Sequence, residues 1–193
     1  MFNFIYVVML LGAQTAPVVA DDQAACAALM EMPDVTVTYA VMKPATATAP
    51  RHCYAQGNIQ GRIRFHVQLP TRAAWNGKLV NIGDGGKDGD LDFADNYVAE
   101  GYATANSNMG HDVGSTPGAT FAYENLESMI DFGHRAVHLT ANASKAVVRA
   151  YYRSAPRYTY FEGCSTGGRE ALALALSGEL AEARRALAEM RGN

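Results

Sequence analysis

The sequence has no surplus of basic residues. Lys and Arg number 16, and Asp and Glu number 19, in a chain of 193 residues, which gives a net charge of −3 and a pI of about 5.9. A nucleic-acid-binding surface needs basic side chains that neutralise phosphates, so this balance argues against a nucleic-acid partner. Apolar residues make up 49% of the chain, which is enough to build the packed core of one domain.

Long apolar runs are absent after residue 20, whereas a membrane-spanning helix needs about twenty residues. Before that point, an apolar core over Phe4–Gly12 and small residues ahead of Asp21 are typical of a secretory signal. Because Met1–Asn3 contains no Lys or Arg, a buried N-terminal strand and an uncleaved anchor are alternatives. We expect residues 1–20 to be a signal peptide and the mature chain to be secreted or periplasmic.

Cysteine is scarce as well. The chain contains only Cys26, Cys53 and Cys164. In an oxidising compartment, an odd number of cysteines fits a disulfide with one thiol left over.

Asp and His are absent after Ser165, yet Ser165 lies in the most informative motif of the chain. The apolar run Tyr158–Phe161 is followed by G-C-S-T-G-G-R-E and then by the helix-forming run Ala171–Leu176. This order of strand, sharp turn and helix is that of a G-x-S-x-G nucleophile elbow, with a chance Gly/Ser turn as the alternative. In an elbow, Ser165 is the nucleophile and the backbone N–H of Thr166, at the helix N-terminus, stabilises the oxyanion.

Hydrophobic periodicity predicts strands and helices in alternation over the second half of the chain. Alternating apolar residues predict a strand over Ile59–Leu69 with one face in water, and His66 lies on that polar face. Three- and four-residue spacing predicts a helix over Glu124–Tyr152, with a kink near Gly133, and a further helix over Glu179–Met190. Shorter strands are predicted over Val35–Val41, Lys78–Ile82, Tyr102–Ala105 and Tyr158–Phe161.

The extended elbow motif resembles the tannase and feruloyl esterase family, which also includes the esterase that cleaves mono-hydroxyethyl terephthalate. In that family a cysteine precedes the nucleophile and Gly-Gly-Arg follows it. The resemblance covers roughly Ala24 to Ala175. Other matching segments, in the family's order, are Pro50–Cys53 with Gly57, Leu69–Pro70 with Trp75–Leu79, Gly83–Gly86, Gly101–Thr104 with Gly110–His111, and Phe132–Ala136.

This resemblance implies an α/β fold: an incomplete α/β-hydrolase-type, mostly parallel sheet with N-terminal antiparallel strands, ending shortly after the elbow helix. Residues 21–176 would be the N-terminal part of that domain, and residues 177–193 a helical tail outside the resemblance. The family pairing implies a disulfide between Cys26 and Cys53. Cys164 would be unpaired, because the chain contains no counterpart of the cysteine that bonds it in the family.

The glycine-rich segment Gly83–Gly86 is the second candidate part of the site. Glycines let backbone N–H groups approach a ligand, and in this class of hydrolase the loop supplies a second oxyanion donor, which we expect to be Gly85 or Gly86. An ordinary glycine turn is the alternative. The aspartates between residues 84 and 95 do not have the spacing of a calcium loop, and the family's calcium site lies in a lid domain that this chain lacks, so we expect no metal or cofactor.

His111 follows Gly110 in a loop that the family places near the active site. It is expected to be a structural or pocket-lining residue, with a substitute general base as the alternative.

The resemblance implies a carboxylic ester hydrolase that cleaves small aromatic esters through an acyl-enzyme on Ser165. Because removal of the base typically costs about 10⁴- to 10⁶-fold in turnover, we expect the chain alone to have little or no activity. The alternatives are an exported, non-catalytic module that binds phenolic ligands or other partners, and one half of a split enzyme. Self-association through an exposed sheet edge or through Cys164 is also expected.

Overall fold

A computed structural model of the chain describes residues 18–176, which are organised around a sheet of six strands. In chain order the strands are β1 (Val37–Lys43), β2 (His52–Ile59), β3 (Ile63–Pro70), β4 (Lys78–Gly83), β5 (Ala103–Ser107) and β6 (Tyr158–Gly163).

The spatial order of the strands is β1-β2-β3-β5-β4-β6. Pairing is antiparallel from β1 through β3 to β5, and parallel where β4 lies between β5 and β6. The described sheet is therefore mixed rather than mostly parallel. The antiparallel strands are N-terminal, as expected, and the parallel strands lie in the second half, as in an α/β-hydrolase-type sheet. The carboxyl ends of β4, β5 and β6 meet at one edge, which is where ligands bind in open sheets of this kind.

Helices cover the sheet and supply the rest of the core. Val147 and Tyr151 are fully buried against the sheet with Phe65, Val67 and Leu69. No helix in the described part of the chain is both long and apolar enough to cross a membrane. The helices are α1 (Val18–Ala28), α2 (Asp95–Ala99), α3 (Leu126–Ile130), α4 (Ala136–Tyr152) and α5 (Thr166–Leu176), with short 3-10 turns at Leu29–Glu31 and Thr120–Ala122.

The single strand predicted over Ile59–Leu69 is wrong. Strand β2 ends at Ile59, and β3 begins only at Ile63. Between them Gln60 and Gly61 both have positive φ, 54° and 76°, which turns the chain back on itself. Ile59 and Ile63 are cross-strand partners. They share one face of the sheet, so the apolar alternation continues unbroken through the hairpin and hides the turn.

The prediction that His66 lies on a wet face is also wrong. The side chain is 1% exposed, and its ring packs edge-on against Tyr54 and Phe93. Its Nε2 lies 2.8 Å from the carbonyl oxygen of Asp92. Burial lowers the pKa of His66 to about 4, so the ring is neutral at pH 7. The segment after β4, which includes Asp92 and Phe93, covers this face of the sheet. The periodicity of the strand alone cannot predict such a long-range contact.

The long helix predicted over Glu124–Tyr152 is present with an interruption. A π-helical turn over Asp131–Arg135 joins α3 to α4, and Gly133, the predicted kink, lies inside it. Asp131 is fully buried in this turn and accepts a hydrogen bond of 3.0 Å from Nε of Arg62. The second helix, predicted over Glu179–Met190, lies outside the described residues, as do residues 1–17 of the predicted signal peptide.

The expected disulfide is present. Cys26 of α1 and Cys53 of β2 are bonded, with a Cα–Cα distance of 5.7 Å and a sequence separation of 27. Cys164 is a free thiol and is exposed. The bond fastens α1 to the sheet from inside the core, because neither bonded cysteine has any exposed surface.

We predict that replacing Cys26 and Cys53 by Ser lowers the free energy of unfolding by about 3–4 kcal/mol, because the unfolded chain regains the freedom of the closed loop. Urea unfolding followed by circular dichroism measures the change. The matched control is Cys164→Ser, which removes no bond and is expected to leave the midpoint where it was. Equal midpoints for all three proteins would show that the disulfide does not contribute to stability.

Candidate active site

The order of strand, sharp turn and helix predicted around Ser165 is present, because β6 ends at Gly163 and α5 begins at Thr166. Ser165 is exposed and has a φ of 59°, in the left-handed region that residues with a side chain rarely adopt. Such backbone strain costs about 1–3 kcal/mol and persists only where the surrounding structure enforces it. Here the turn projects Ser165 beyond the sheet edge, in the conformation that a nucleophile elbow requires.

Three glycines enforce this turn by letting backbones touch. A Cβ on Gly167 would lie 2.6 Å from the carbonyl oxygen of Gly83, and a Cβ on Gly163 would lie 2.7 Å from backbone atoms of Gly167. A Cβ on Gly83 would in turn lie 2.8 Å from the Cα of Gly167. Gly168 has room, since the nearest atom to its Cβ position is 3.8 Å away. The first turn of α5 therefore sits directly on the ends of β4 and β6.

The glycine loop lies beside the elbow. The hydroxyl of Thr166 donates a hydrogen bond of 2.6 Å to the carbonyl oxygen of Gly86, which joins the start of α5 to the loop. Gly85 and Gly86 are exposed, and open space surrounds the Cβ position of each. Within the described residues, no backbone hydrogen bond uses the N–H of Gly85, Gly86 or Thr166. Among the described residues these three N–H groups therefore have no backbone partner, which is a condition that a donor to an oxyanion must meet.

Buried acidic groups lie under this loop. Asp84, Asp88 and Glu170 are each at most 7% exposed. Burial raises the pKa of Asp84 to about 7, that of Asp88 to about 6 and that of Glu170 to about 9. Arg169 is the nearby cation, with Nη2 3.6 Å from Glu170 and 4.0 Å from Asp88. Within the described residues, no group of three or more His, Cys, Asp or Glu side chains is arranged to hold a metal ion.

Sequence reasoning missed Arg169 and Glu170 as parts of the site. Both fall in the elbow motif, but their role depends on which side of α5 faces the loop. Nη1 of Arg169 donates hydrogen bonds of 2.8 Å to the carbonyl oxygens of Phe132 and Gly133, so this side chain also connects α5 to the π-helical turn. One sequence signal was available. Two charged residues, Arg169 and Glu170, stand in the first turns of a helix that must pack against the sheet.

His111 is packed into the protein. It is 6% exposed, its ring stacks on Phe121 with a centroid distance of 3.9 Å, and burial lowers its pKa. Carbonyl groups of the neighbouring backbone lie close to the ring, but neither ring nitrogen has a partner with hydrogen-bond geometry in the described residues. His111 lines a cavity of about 340 Å³, together with Arg62, Arg64 and Asn108, and Ser165 is not among the lining residues.

Within the described residues, no histidine is hydrogen-bonded to Ser165 as a general base would be. The chain has five histidines, all of which precede Ser165 and lie in the described region, and no hydrogen bond joins any of them to its hydroxyl there. The substitute-base role of His111 stays a prediction that no contact supports. The described site thus contains an exposed serine on a sharp turn beside the glycine loop.

Comparison with known proteins identifies the family. The model of the tannase and feruloyl esterase family matches residues 47–177. The chain belongs to this family. Mono(2-hydroxyethyl) terephthalate hydrolase from Piscinibacter sakaiensis is 33% identical over 157 residues, which cover 68% of this chain and 26% of that relative. Feruloyl esterase B from Aspergillus niger is 36% identical over 127 residues, covering 61% of this chain and 23% of the relative.

Solved structures agree with the family in fold. Feruloyl esterase B from Aspergillus oryzae superposes with a TM-score of 0.64 at 24% identity, covering 77% of this chain and 33% of the other. Tannin acyl hydrolase from Aspergillus niger superposes with a TM-score of 0.55 at 19% identity, covering 84% of this chain and 34% of the other. The chain thus spans about a quarter to a third of the length of these relatives.

We predict that Gly167→Ala destabilises the protein by about 1–3 kcal/mol, because its Cβ meets the backbone of Gly83, which cannot move away cheaply. Gly168→Ala is the matched control in the same helical turn. It meets no close atom, and alanine favours a helix, so its midpoint is expected to be unchanged or slightly higher. Urea unfolding compares the two variants. If both substitutions changed the urea midpoint equally, the close backbone contact between Gly167 and Gly83 would not be what holds the turn.

Proposed function

We propose that this chain carries the nucleophile and the oxyanion-binding half of a carboxylic ester hydrolase site. The observation that carries the proposal is the conformation of Ser165, held at a φ of 59° on an exposed turn beside three free N–H groups. Strained residues of this kind cluster at active sites and ligand clamps. It is expected where the serine oxygen must reach a substrate.

The geometry supports attack by Oγ of Ser165 on an ester carbonyl carbon. The carbonyl oxygen becomes an oxyanion, which accepts hydrogen bonds from the N–H of Thr166 and from that of Gly85 or Gly86. Collapse of the intermediate breaks the bond to the alcohol and leaves an acyl group on Ser165, which water then removes. The proton of Ser165 passes to a general base and from there to the departing alcohol.

Among the described residues, no general base contacts Ser165. A serine hydroxyl without a base is a poor nucleophile, and loss of the base costs about 10⁴- to 10⁶-fold in turnover. We propose that the base comes from polypeptide outside the described residues, either covalently continuous with this chain or in a second chain. On this basis the described residues alone would react with an ester slowly.

The relatives suggest the substrate class. Their names include feruloyl esterases, a mono(2-hydroxyethyl) terephthalate hydrolase and a tannin acyl hydrolase. We propose that this chain belongs to an enzyme of small esters with an aromatic acyl group. The buried Cys26–Cys53 disulfide supports an exported protein, since such bonds persist in oxidising compartments.

A binding module is the second candidate function. It is favoured by one observation, namely that no histidine hydrogen-bonds to Ser165 within the described residues. Such a module would bind an aromatic ester at the glycine loop without cleaving it.

We predict that the purified chain, incubated with methyl ferulate, releases methanol slowly and in a manner that depends on Ser165. Chromatography of the products measures hydrolysis, and intact-mass spectrometry detects the acyl group on Ser165. Ser165→Ala is expected to abolish both signals. His111→Gln is the companion variant, because it is expected to leave the slow rate unchanged if His111 only lines a cavity.

Each outcome has a distinct meaning. Hydrolysis that survives Ser165→Ala would show that Ser165 is not the nucleophile. Loss of activity in His111→Gln, with the fold intact by circular dichroism, would assign His111 as the base. Saturable binding of methyl ferulate with no acyl-enzyme and no product would favour the binding module.

A further inference from the structure

Three segments of the candidate site meet at the guanidinium group of Arg169. Nη1 donates hydrogen bonds of 2.8 Å to the carbonyl oxygens of Phe132 and Gly133 in the π-helical turn. Cζ lies over the Phe132 ring, 4.5 Å from its centre. Nη2, which has no hydrogen-bond partner among the described residues, lies 3.6 Å from Oε1 of Glu170 and 4.0 Å from Oδ2 of Asp88. The group therefore lies at the junction of the elbow helix, the π-helical turn and the end of the glycine loop.

The π-helical turn is itself held by a buried carboxylate. Asp131, the first residue of the turn, is fully buried and accepts hydrogen bonds from Nε of Arg62 and from Nε of Arg135. Arg62 stands in the hairpin between β2 and β3, so the turn is fastened to the sheet. A Cβ on Gly110 would lie only 2.6 Å from Cβ of Asp131, so the turn also packs closely on the chain after β5. The carbonyl groups that Arg169 reaches thus belong to a segment that the sheet holds in place.

The backbone of Arg169 extends this attachment to Ser165. Its N–H donates a hydrogen bond of 3.2 Å to the carbonyl oxygen of Ser165, at the start of α5. The glycines beside the elbow allow α5 to approach the strands closely, but they have no side chain that could fasten it there. A hydrogen bond from a charged donor can do so, because such bonds are about twice as strong as neutral ones. The side chain and the backbone of Arg169 therefore connect the elbow to the π-helical turn through a single residue.

We propose that Arg169 is a positioning residue, which fastens the elbow helix to the π-helical turn and so holds Ser165 and Thr166 in their places. The consequence for ester cleavage rests on the proposed function. The attachment itself does not, because it is defined by hydrogen bonds between groups that take no part in that reaction.

An arginine suits this junction better than a lysine would. A guanidinium group is planar, presents its donors in a fixed fork and stacks on aromatic rings. Here one nitrogen bonds to two carbonyl oxygens, the central carbon lies over Phe132, and the other nitrogen faces two buried acidic side chains. A lysine ammonium is a compact point charge and cannot occupy all these positions at once. We therefore expect Arg169→Lys to disturb the elbow, although it keeps the charge.

Three variants separate the guanidinium fork from its charge. Arg169→Met removes both and keeps an unbranched side chain. Arg169→Lys keeps the charge without the fork. Arg149→Met is the matched control, because it removes the same charge from an exposed position on α4. Circular dichroism identifies the conditions under which each variant is folded, so that the other measurements are made on folded protein.

Amide signals in two-dimensional NMR spectra report both ends of the attachment. The amide group of Gly133 shares a peptide bond with one of the acceptor carbonyls, and those of Ser165 and Thr166 belong to the elbow. We expect Arg169→Met and Arg169→Lys to shift all three signals, and Arg149→Met to shift none of them. Unchanged Ser165 and Thr166 signals in Arg169→Met would overturn the proposal. A spectrum of Arg169→Lys that matches the wild type would do the same, since a point charge would then be sufficient.

If neither variant at residue 169 folds, the wild-type side chain tests the attachment directly. A guanidinium group that donates to two fixed carbonyl oxygens cannot rotate freely. We therefore expect the nitrogen NMR spectrum to show separate Nη1 and Nη2 signals for Arg169, with protons that exchange slowly with water. The guanidinium of Arg149 is exposed and should give averaged signals. Averaged signals for both arginines would show that the attachment is absent in solution.

Reaction with methyl ferulate measures the consequence for Ser165. Intact-mass spectrometry follows the rate at which the acyl group appears on the folded protein at a saturating concentration of the ester. We expect Arg169→Met and Arg169→Lys to slow this step by about tenfold or more, because a misplacement of about 1 Å can cost about 10²-fold in rate. Arg149→Met should react as fast as the wild type.

The same reaction separates this inference from the proposed function. If the amide signals respond as expected but the wild type forms no acyl-enzyme, the esterase proposal fails and the attachment stands. If the wild type forms an acyl-enzyme and folded Arg169→Met forms it equally fast, the esterase proposal stands and the positioning role fails. Both hold if acylation slows in Arg169→Met and in Arg169→Lys but not in Arg149→Met.

Discussion

Contact between the backbones of Gly83, Gly163 and Gly167 is the constraint on which the candidate site depends. It lets α5 approach β4 and β6 more closely than any side chain would allow. The chain between β6 and α5 then has no room for a relaxed turn, and Ser165 takes a positive φ. The strain at the serine is therefore the result of close packing among its neighbours, which is how folded proteins maintain a strained functional residue.

The same approach brings polar groups into an interior position. Once α5 rests on the end of β4, Glu170 faces the glycine loop and cannot reach bulk water. Burial of an unpaired carboxylate is costly, and here Nη2 of Arg169 lies 3.6 Å from Glu170 and 4.0 Å from Asp88, while burial raises the pKa of Glu170 to about 9.

The parts of the site that were predicted from sequence are those whose chemistry is local. The elbow needs small residues two positions before and after the serine, and a glycine turn needs freedom at φ, so both leave a direct trace in the residue pattern. The disulfide between Cys26 and Cys53 came from family resemblance and is present in the structure. The burial of His66 was not predicted, because the segment that covers it is distant in sequence. The hairpin at Gln60 was not predicted, because its turn preserves the apolar alternation of a single strand.

The amino-acid sequence by itself determined the strand-turn-helix order around Ser165 and the glycine loop after β4. These follow from steric rules that act within a few residues. Only the tertiary structure decided that Glu170 and Asp88 are buried beside Arg169, that His111 stacks on Phe121, and that His66 is buried. These facts depend on which surfaces of separate elements meet, and that is set by the packing of the whole sheet with its helices, over sequence separations that no local pattern records.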